Sequence, residues 1–307
     1  MTHGAAEPTI EYQPRLVEEA VLLVVRGRKE EGEFWKRRDS LYETPDPDER
    51  EAGFLAFSAE WFGRLGLGRP VRQALLEYPL IVEGTTACVV SWALAGKDEG
   101  ADLHVSPPHV GGRSVGIRLK PERFTDEERL LQFLRRELLH VADMLDPRFG
   151  YAPRLPASGT GPAHERLLQD RYRVLWDAYV DGRLLRLGWA PAVVRTDRFD
   201  DFVRAFPMLG ERAEAAFGRF FDGSTVTHGE LAAFAADPEH GLGRRRGGPH
   251  PGERCPLCGF PTHAFEPEPD RLLAERVRES FPGWDPEDGL CRQCADLYRS
   301  RSPEAVQ

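Results

Sequence analysis

Four of the five cysteines in this 307-residue chain form two C-x-x-C pairs, Cys255 with Cys258 and Cys291 with Cys294. A two-residue spacer lets both thiolates of a tight turn face one ion, and four such ligands satisfy the tetrahedral preference of zinc. Gly259, directly after the first pair, suits a turn that needs a positive φ. Because four thiolates leave no coordination position open, the pattern predicts a structural rather than a catalytic metal site.

The segment between the two pairs, residues 259 to 290, is longer than the spacer typical of four-cysteine zinc sites. Its stretch PDRLLAERVRESF (269–281) has amphipathic helical spacing and can fill that length. The motifs CPLCG and CRQC resemble the knuckles of zinc ribbons and rubredoxin-like modules, which implies zinc at the four cysteines. Iron can occupy the same ligands. Two different interpretations of the cysteines stay open, a redox dithiol and two unrelated pairs.

Composition and charge indicate a packed protein with an acidic surface. The chain is 41% hydrophobic and has a net charge of −9, which disfavours a general nucleic-acid binder. The basic run from Arg244 to Arg246 still permits a local contact with an anionic partner. No apolar run approaches the ~20 residues that span a bilayer, and the N-terminus lacks the basic start and apolar middle of a signal peptide. We therefore expect a cytoplasmic protein without a membrane partner.

The hydrophobic pattern predicts an α+β fold, with a mainly helical body and a small sheet followed by the zinc module. Residues 15–76 have helical apolar spacing, interrupted at residues 44–49. Residues 78–124 are β-branched and alternating, starting with LIVEGTTACVVSWAL, and predict two to four strands. The fifth cysteine, Cys88, lies in this apolar run and is expected to be a small core residue. Further helices are expected up to about Asp237.

These patterns divide the chain into four parts. We predict an N-terminal helical region (1–75), an α+β body (76–240), a linker (241–253) and a zinc-ribbon module (254–307). The linker assignment depends on its sequence, GLGRRRGGPHPGE, which is rich in glycine, proline and arginine.

A second chemical signal lies on a helix predicted over residues 125–145, within the stretch LLQFLRRELLHVADMLDP (130–147). An N-cap with acidic residues in the first turn begins this helix, and an Asp-Pro pair ends it. At about 100° per residue, one face of this helix is apolar, formed by Leu130, Leu134, Leu138, Val141 and Leu145. Glu137 lies about 20° outside this apolar stripe, and His140 lies slightly farther from it on the helical wheel. Because a buried carboxylate must be paired, protonated or bound to a metal, the helix predicts an internal polar site.

Glu137 and His140 match the last part of the H-E-x-x-H motif, and the chain resembles the zincin superfamily of zinc proteases, at best over residues 76–190. A strand-like segment, VGIRLKP, precedes the helix, as an edge strand does in those enzymes. The resemblance implies that Glu137 is the general base that activates a metal-bound water and that His140 is a zinc ligand. It also implies a third ligand from the following helix, where Asp177 and Asp181 are the candidates.

Arg136 occupies the position of the first zinc histidine of that motif. A guanidinium is permanently charged and cannot coordinate a cation. The sequence therefore predicts that Arg136 pairs with Glu137 or Asp177 in place of a metal. Asp146, at the position of the last ligand in the longer form of the motif, is an alternative ligand for a second metal.

Three interpretations of this helix remain open: a degenerate zincin-like domain, an active hydrolase with an unusual ligand set, and an ordinary amphipathic helix. The favoured function is that of a zincin-like, metallopeptidase-related protein, either an active zinc hydrolase or a pseudoenzyme whose body is a binding scaffold. The alternative is a non-enzymatic adaptor or regulatory protein. It would contact a protein or nucleic-acid partner through the zinc ribbon and the run from Arg244 to Arg246.

Overall fold

The computed structural model of the chain describes residues 7–106, 112–155, 162–238, 252–267, 269–282 and 284–300. These residues form the predicted α+β fold, mainly helical with a small sheet. Contacts divide the chain into two compact units, Met1–Ala236 and Asp237–Gln307. Within the described ranges, no helix is long and apolar enough to cross a membrane. Arg244 to Arg246 and residues 241–251 of the predicted linker lie outside the described residues.

The sheet of the first unit has the strand order β1-β2-β4-β3, formed by β1 (Thr9–Tyr12), β2 (Ala87–Trp92), β3 (Gly100–Val105) and β4 (Arg113–Leu119). Strands β1, β2 and β4 run parallel, and β3 is an antiparallel edge strand beside β4. Cys88, Val90 and Ile117 are fully buried on one face of the two central strands. The prediction that Cys88 is a core residue is confirmed.

The N-terminal part of the first unit forms the helices α1 (Pro14–Val25), α2 (Glu31–Ser40), α3 (Pro47–Arg64), α4 (Arg69–Leu76) and α5 (Pro79–Gly84). The chain turns between α1 and α2, where Gly27 has a φ of +74° that suits glycine. The start of the segment predicted as strands, LIVEG, is instead part of α5. Pro79 begins this helix, at a position where the missing N–H costs nothing.

Two long helices, α6 (Glu127–Leu145) and α7 (Pro162–Arg186), carry the candidate site. Helix α6 begins as predicted, because the Asp126 side chain accepts a hydrogen bond from the backbone N–H of Arg129. Helix α7 lies in the core, and its Leu175 and Ala178 are fully buried. The remaining helices of the first unit are α8 (Val194–Ala205), α9 (Ala213–Phe221) and α10 (His228–Ala236).

The second unit contains α11 (Arg271–Ser280) and α12 (Arg292–Ser300). Helix α11 confirms the helix predicted between the cysteine pairs, and the Asp270 side chain caps it by accepting from the backbone N–H of Leu273. Three of the cysteines pack into the apolar core of this unit together with Leu273, Ala274, Val277, Trp284, Leu290, Ala295 and Tyr298. So small a core gives the unit little apolar burial to stabilise it.

Candidate functional site

The four paired cysteines converge in the second unit. Their Sγ atoms all lie within 4.8 Å of one another. The distance is 3.8 Å between Cys255 and Cys294 and 3.9 Å between Cys258 and Cys291. A tetrahedral site with metal–sulfur bonds of about 2.3 Å places its sulfurs about 3.8 Å apart. The four thiols therefore form a site that can hold one metal ion, as the sequence predicts.

Local backbone geometry favours the thiolate at Cys255, whereas burial raises the pKa of the Cys291 and Cys294 thiols. Gly259 has the predicted positive φ, +73°, and ends the turn that carries Cys255 and Cys258. The backbone N–H of Cys291 donates to the Sγ atom of Cys255 at 3.3 Å. Burial raises the pKa of the Cys255 thiol, but hydrogen bonds from backbone N–H groups outweigh it and lower the pKa to about 7. This favours the thiolate, the form that binds metals.

The polar site predicted on α6 faces α7 as an arginine-carboxylate network, which consists of Arg136, Glu137, His140, Asp177 and Asp181. The Arg136 guanidinium donates from Nη1 to Glu137 at 2.9 Å and from Nη2 to Asp177 at 2.5 Å. From Nε it donates to Asp181 at 3.2 Å. Because Asp177 and Asp181 are one turn apart on α7, both carboxylates face α6. The sequence predicted pairing of Arg136 with Glu137 or Asp177. The structure shows both ion pairs and a third with Asp181.

The network is largely shielded from water, and Asp181 is only 2% exposed. Burial lowers the pKa of Arg136, but the three neighbouring carboxylates outweigh it and raise the pKa above its ordinary value. Burial in turn raises the pKa of Asp177, whereas the hydrogen bond from His140 and the charge of Arg136 lower it to about 2. Arg136 and Asp177 therefore form a fixed ion pair at neutral pH.

The two residues that the zincin resemblance singles out are both held by this network. His140 Nε2 lies 3.2 Å from Asp177 Oδ1, and the imidazole meets the Trp176 ring edge to face with the centroids 4.7 Å apart. Glu137 accepts the bond from Arg136 and also lies against the start of β3. A Cβ on Gly100 would be 3.2 Å from Glu137 Oε2. Glu137 therefore neutralises Arg136 at the boundary between α6 and the sheet.

Two further charged residues, Arg198 and Asp143, form hydrogen bonds at or beside the network, and the sequence predicted neither role. Arg198 on α8 donates from Nε to Asp181 at 2.6 Å. Asp143, on the next turn of α6, accepts from Trp176 Nε1 at 2.8 Å and from Arg183 Nη1 at 2.8 Å. The position of Asp143 on the polar edge of α6 is a signal that could have identified it. Arg198 carries no such signal, because a single sequence does not show which helix packs against α7.

Asp146, the alternative ligand, is engaged elsewhere. It accepts from the backbone N–H of Arg148 at 2.8 Å and forms an ion pair with the Arg148 guanidinium at 3.1 Å, at the C-terminal end of α6. The structure thus brings Asp177 and Asp181 to the network, whereas Asp146 binds Arg148.

The network does not fit a resident metal ion, because the Arg136 guanidinium already contacts the three carboxylates that would hold one. Among the described residues, only the four cysteines form a group of three or more Cys, His, Asp and Glu side chains that converges as a metal site requires. The site with metal geometry and the site with zincin-like residues are therefore different sites.

A cavity of about 580 Å³ lies beside His140. One face of α7 supplies a wall at helical spacing, formed by Glu165, Leu168, Gln169, Tyr172, Arg173 and Trp176. Among the described residues, His140, residues 151–155 and His228 also line the cavity. Tyr172 and Trp176 are largely buried, as their helical spacing suggests, and they also form part of the cavity wall.

His228 joins this cavity through a buried hydrogen bond. The Tyr172 hydroxyl lies 2.7 Å from His228 Nδ1, and the backbone N–H of His228 donates to the Phe149 carbonyl at 2.8 Å. Burial lowers the pKa of His228 and raises that of Tyr172, so both side chains are neutral at neutral pH. The sequence does not single out His228, because it belongs to no motif.

Comparisons of this chain with family models, with curated proteins and with solved structures find no match. Function must therefore be inferred from the cysteine site, the arginine-carboxylate network and the cavity.

Proposed function

We propose that this protein is a zincin-type relative of the metallopeptidases in which Arg136 has replaced the catalytic metal, so that the body binds rather than hydrolyses its ligand. The supporting observation is the Arg136 guanidinium, which lies among three carboxylates at the motif position of the first zinc histidine. A metal ion at this place would have to displace a cation that cannot be deprotonated.

The charge balance of the network supports this exchange. A zinc ion would bring two positive charges to the carboxylates. Arg136 brings one, and Arg198 brings a second that it shares with Asp201. Both arginines bind Asp181, the most buried of these carboxylates. Removing one partner of a buried ion pair typically destabilises a protein by about 3–5 kcal/mol. The buried carboxylates are therefore compensated without a metal only while both arginines are present.

We further propose zinc as the ion held by the four cysteines, and a reducing cytoplasm as the compartment of the protein. Structural zinc sites in proteins commonly have four thiolate ligands at tetrahedral spacing. A reducing environment keeps such thiols from forming disulfides. With its coordination shell filled by the chain, the zinc stabilises the second unit and takes no part in hydrolysis.

Zinc content per chain tests the proposal. We expect one zinc in the wild type and in His140→Ala, and none in Cys255→Ser, because four thiolates hold the single ion. Arg136→His restores a histidine beside His140 and Asp177 and should raise the content to two. Mass spectrometry of the dialysed proteins measures the metal. A wild type that holds two zinc ions, loses one in His140→Ala and cleaves peptides would contradict the proposal.

A second candidate function is that of an adaptor, and one exposed side chain favours it. Phe260, next to the cysteine turn, is 73% exposed. Exposed aromatic residues are enriched at protein-binding surfaces. If the second unit binds a partner, Phe260→Ser should weaken capture of that partner. The matched control is Leu94→Ser in the first unit, which also changes an exposed apolar residue to serine and should have no effect.

A further inference from the structure

We propose that the cavity beside His140 binds a small aromatic carboxylate, with a planar body of one or two rings inside and its acid group on Arg154 and Arg173. The volume of about 580 Å³ falls within the roughly 300–1,000 Å³ of small-molecule sites. This inference goes beyond the proposed function. It does not depend on whether Arg136 has replaced a metal.

Four aromatic rings of the cavity lining pack against one another. The ring centroids of Tyr151 and Trp176 are 5.5 Å apart, with an angle of 32° between the planes. His228 meets Tyr151 at 5.6 Å and Tyr172 at 5.2 Å, in both cases edge to face. Rings that present both faces and edges favour a flat unsaturated ligand, which can stack on one ring and meet the edge of another.

Two arginines bring positive charge to the cavity, and no described residue is paired with either of them. Arg154 and Arg173 both line it and are exposed. Among the described residues neither has an ion pair or a hydrogen bond, whereas carboxylates bind Arg136 and Arg198 in the same unit. Glu165 is the one acidic residue of the described lining. The lining is thus net positive in a chain whose net charge is −9, which favours an anion.

The geometry of the anion follows from the chemistry of arginine. A guanidinium offers parallel N–H donors that match the two oxygens of a carboxylate. The Tyr172 hydroxyl bonds to His228 and the Trp176 indole N–H donates to Asp143, and none of the rings in the wall carries a fixed positive charge. Recognition of the ligand's charge therefore falls to the two arginines, while the wall holds its rings.

Calorimetric titration of the full-length protein with 2-naphthoate tests this site, and the uncharged 2-naphthamide is the matched ligand. We expect 2-naphthoate to bind with one-to-one stoichiometry and 2-naphthamide to bind at least about tenfold more weakly, which is the size of one charge-assisted hydrogen bond. Arg173→Gln and Arg154→Gln should each weaken the binding of 2-naphthoate by a similar factor. They should leave the affinity for 2-naphthamide unchanged.

Arg166→Gln is the control, because Arg166 is also exposed on α7 but does not line the cavity. It should bind 2-naphthoate like the wild type. All of these substitutions are at exposed positions, and circular dichroism can verify that each variant is folded. Absence of saturable binding up to millimolar ligand would overturn the inference. So would equal affinity for acid and amide, or equal losses in Arg166→Gln and Arg173→Gln. Zinc content is a separate measurement, so failure here leaves the proposed function to its own test.

Discussion

Arg136 determines the chemistry of the first unit because it fixes the charge of the groups around it. Its guanidinium binds three carboxylates from two helices, and a permanently charged donor cannot release them as the pH changes near neutrality. Asp177 shows the effect most clearly, since the bonds from His140 and Arg136 outweigh its burial and lower its pKa to about 2. Arg136 thus holds together carboxylates from α6 and α7.

The Asp177 carboxylate should make part of the protein's stability depend on pH. Its pKa is about 2 in the folded protein and ordinarily 3.8. Because the folded value is the lower one, its contribution of ~2 kcal/mol is present above about pH 4 and is lost as the pH falls towards 2. We expect Asp177→Asn to destabilise the protein at about pH 6, and this deficit to shrink by roughly 1 kcal/mol at about pH 3. Urea titrations of both proteins measure it.

Asp170→Asn provides the control, because Asp170 is exposed on the same helix. The difference between this variant and the wild type should not change with pH. A deficit of Asp177→Asn that stays constant as the pH falls would show that Arg136 and His140 do not stabilise the ionised carboxylate.

At the residue scale, the sequence predicted the features of the site that depend on the residues of a single helix, α6. The helical wheel placed Glu137 and His140 at the edge of a buried face, and the charge of Arg136 predicted its pairing with Glu137 or Asp177. The role of Arg198 could not be predicted in this way, because it depends on how α8 packs against α7. The cavity was missed for the same reason, since its lining comes from segments far apart in the sequence.

Among the elements, α7 connects the site to the rest of the first unit. Its residues contribute to the network, to the cavity wall and to the core. On another side it approaches α9 so closely that a Cβ on Gly182 would lie 1.8 Å from the Phe221 carbonyl oxygen. A carbon atom cannot occupy that space, so the position requires glycine although glycine weakens a helix interior.

Gly182→Ala should therefore be strongly destabilising. The added methyl group forces α7 and α9 apart, and we expect a loss of about 3 kcal/mol, at the upper end of the range for overpacking. Thermal or urea unfolding of the first unit measures it. Gly229→Ala on α10 is the matched control, because a methyl group added at this exposed glycine would meet no neighbouring atom within 4 Å. Equal stability of Gly182→Ala and the wild type would mean that the two helices are not in this close contact.

Long periodic helices were predictable, whereas short elements were not. Helix α6 lies where its apolar spacing and N-cap predicted it, and α11 lies where its apolar spacing predicted it. Strand β1 has only four residues, and its pairing with β2 depends on a segment far along the chain. Helix α5 was mistaken for part of a strand because an apolar run of this length fits either structure, and tertiary packing decides between them.

The two units of the whole molecule differ in what stabilises them. The first buries many large side chains completely, among them Trp61, Phe202 and Phe217. The second has a core cluster of ten buried residues, and three of these are cysteines of the metal site. A core of that size, among the described residues, supplies little net stability, so we expect a metal bound by the four thiolates to contribute much of the folding free energy of this unit.

Removal of the metal should therefore unfold the second unit and spare the first. In calorimetric scans under reducing conditions, we expect a chelator to abolish one transition and leave the larger one in place, because metal-binding energy and folding energy are coupled only in the second unit. Cys255→Ser should have the same effect. Cys88→Ser should keep the metal and lower only the larger transition, since Cys88 is buried in β2. Unchanged scans after confirmed loss of the metal would mean that the apolar core alone folds the second unit, and that the cysteine site does not stabilise it.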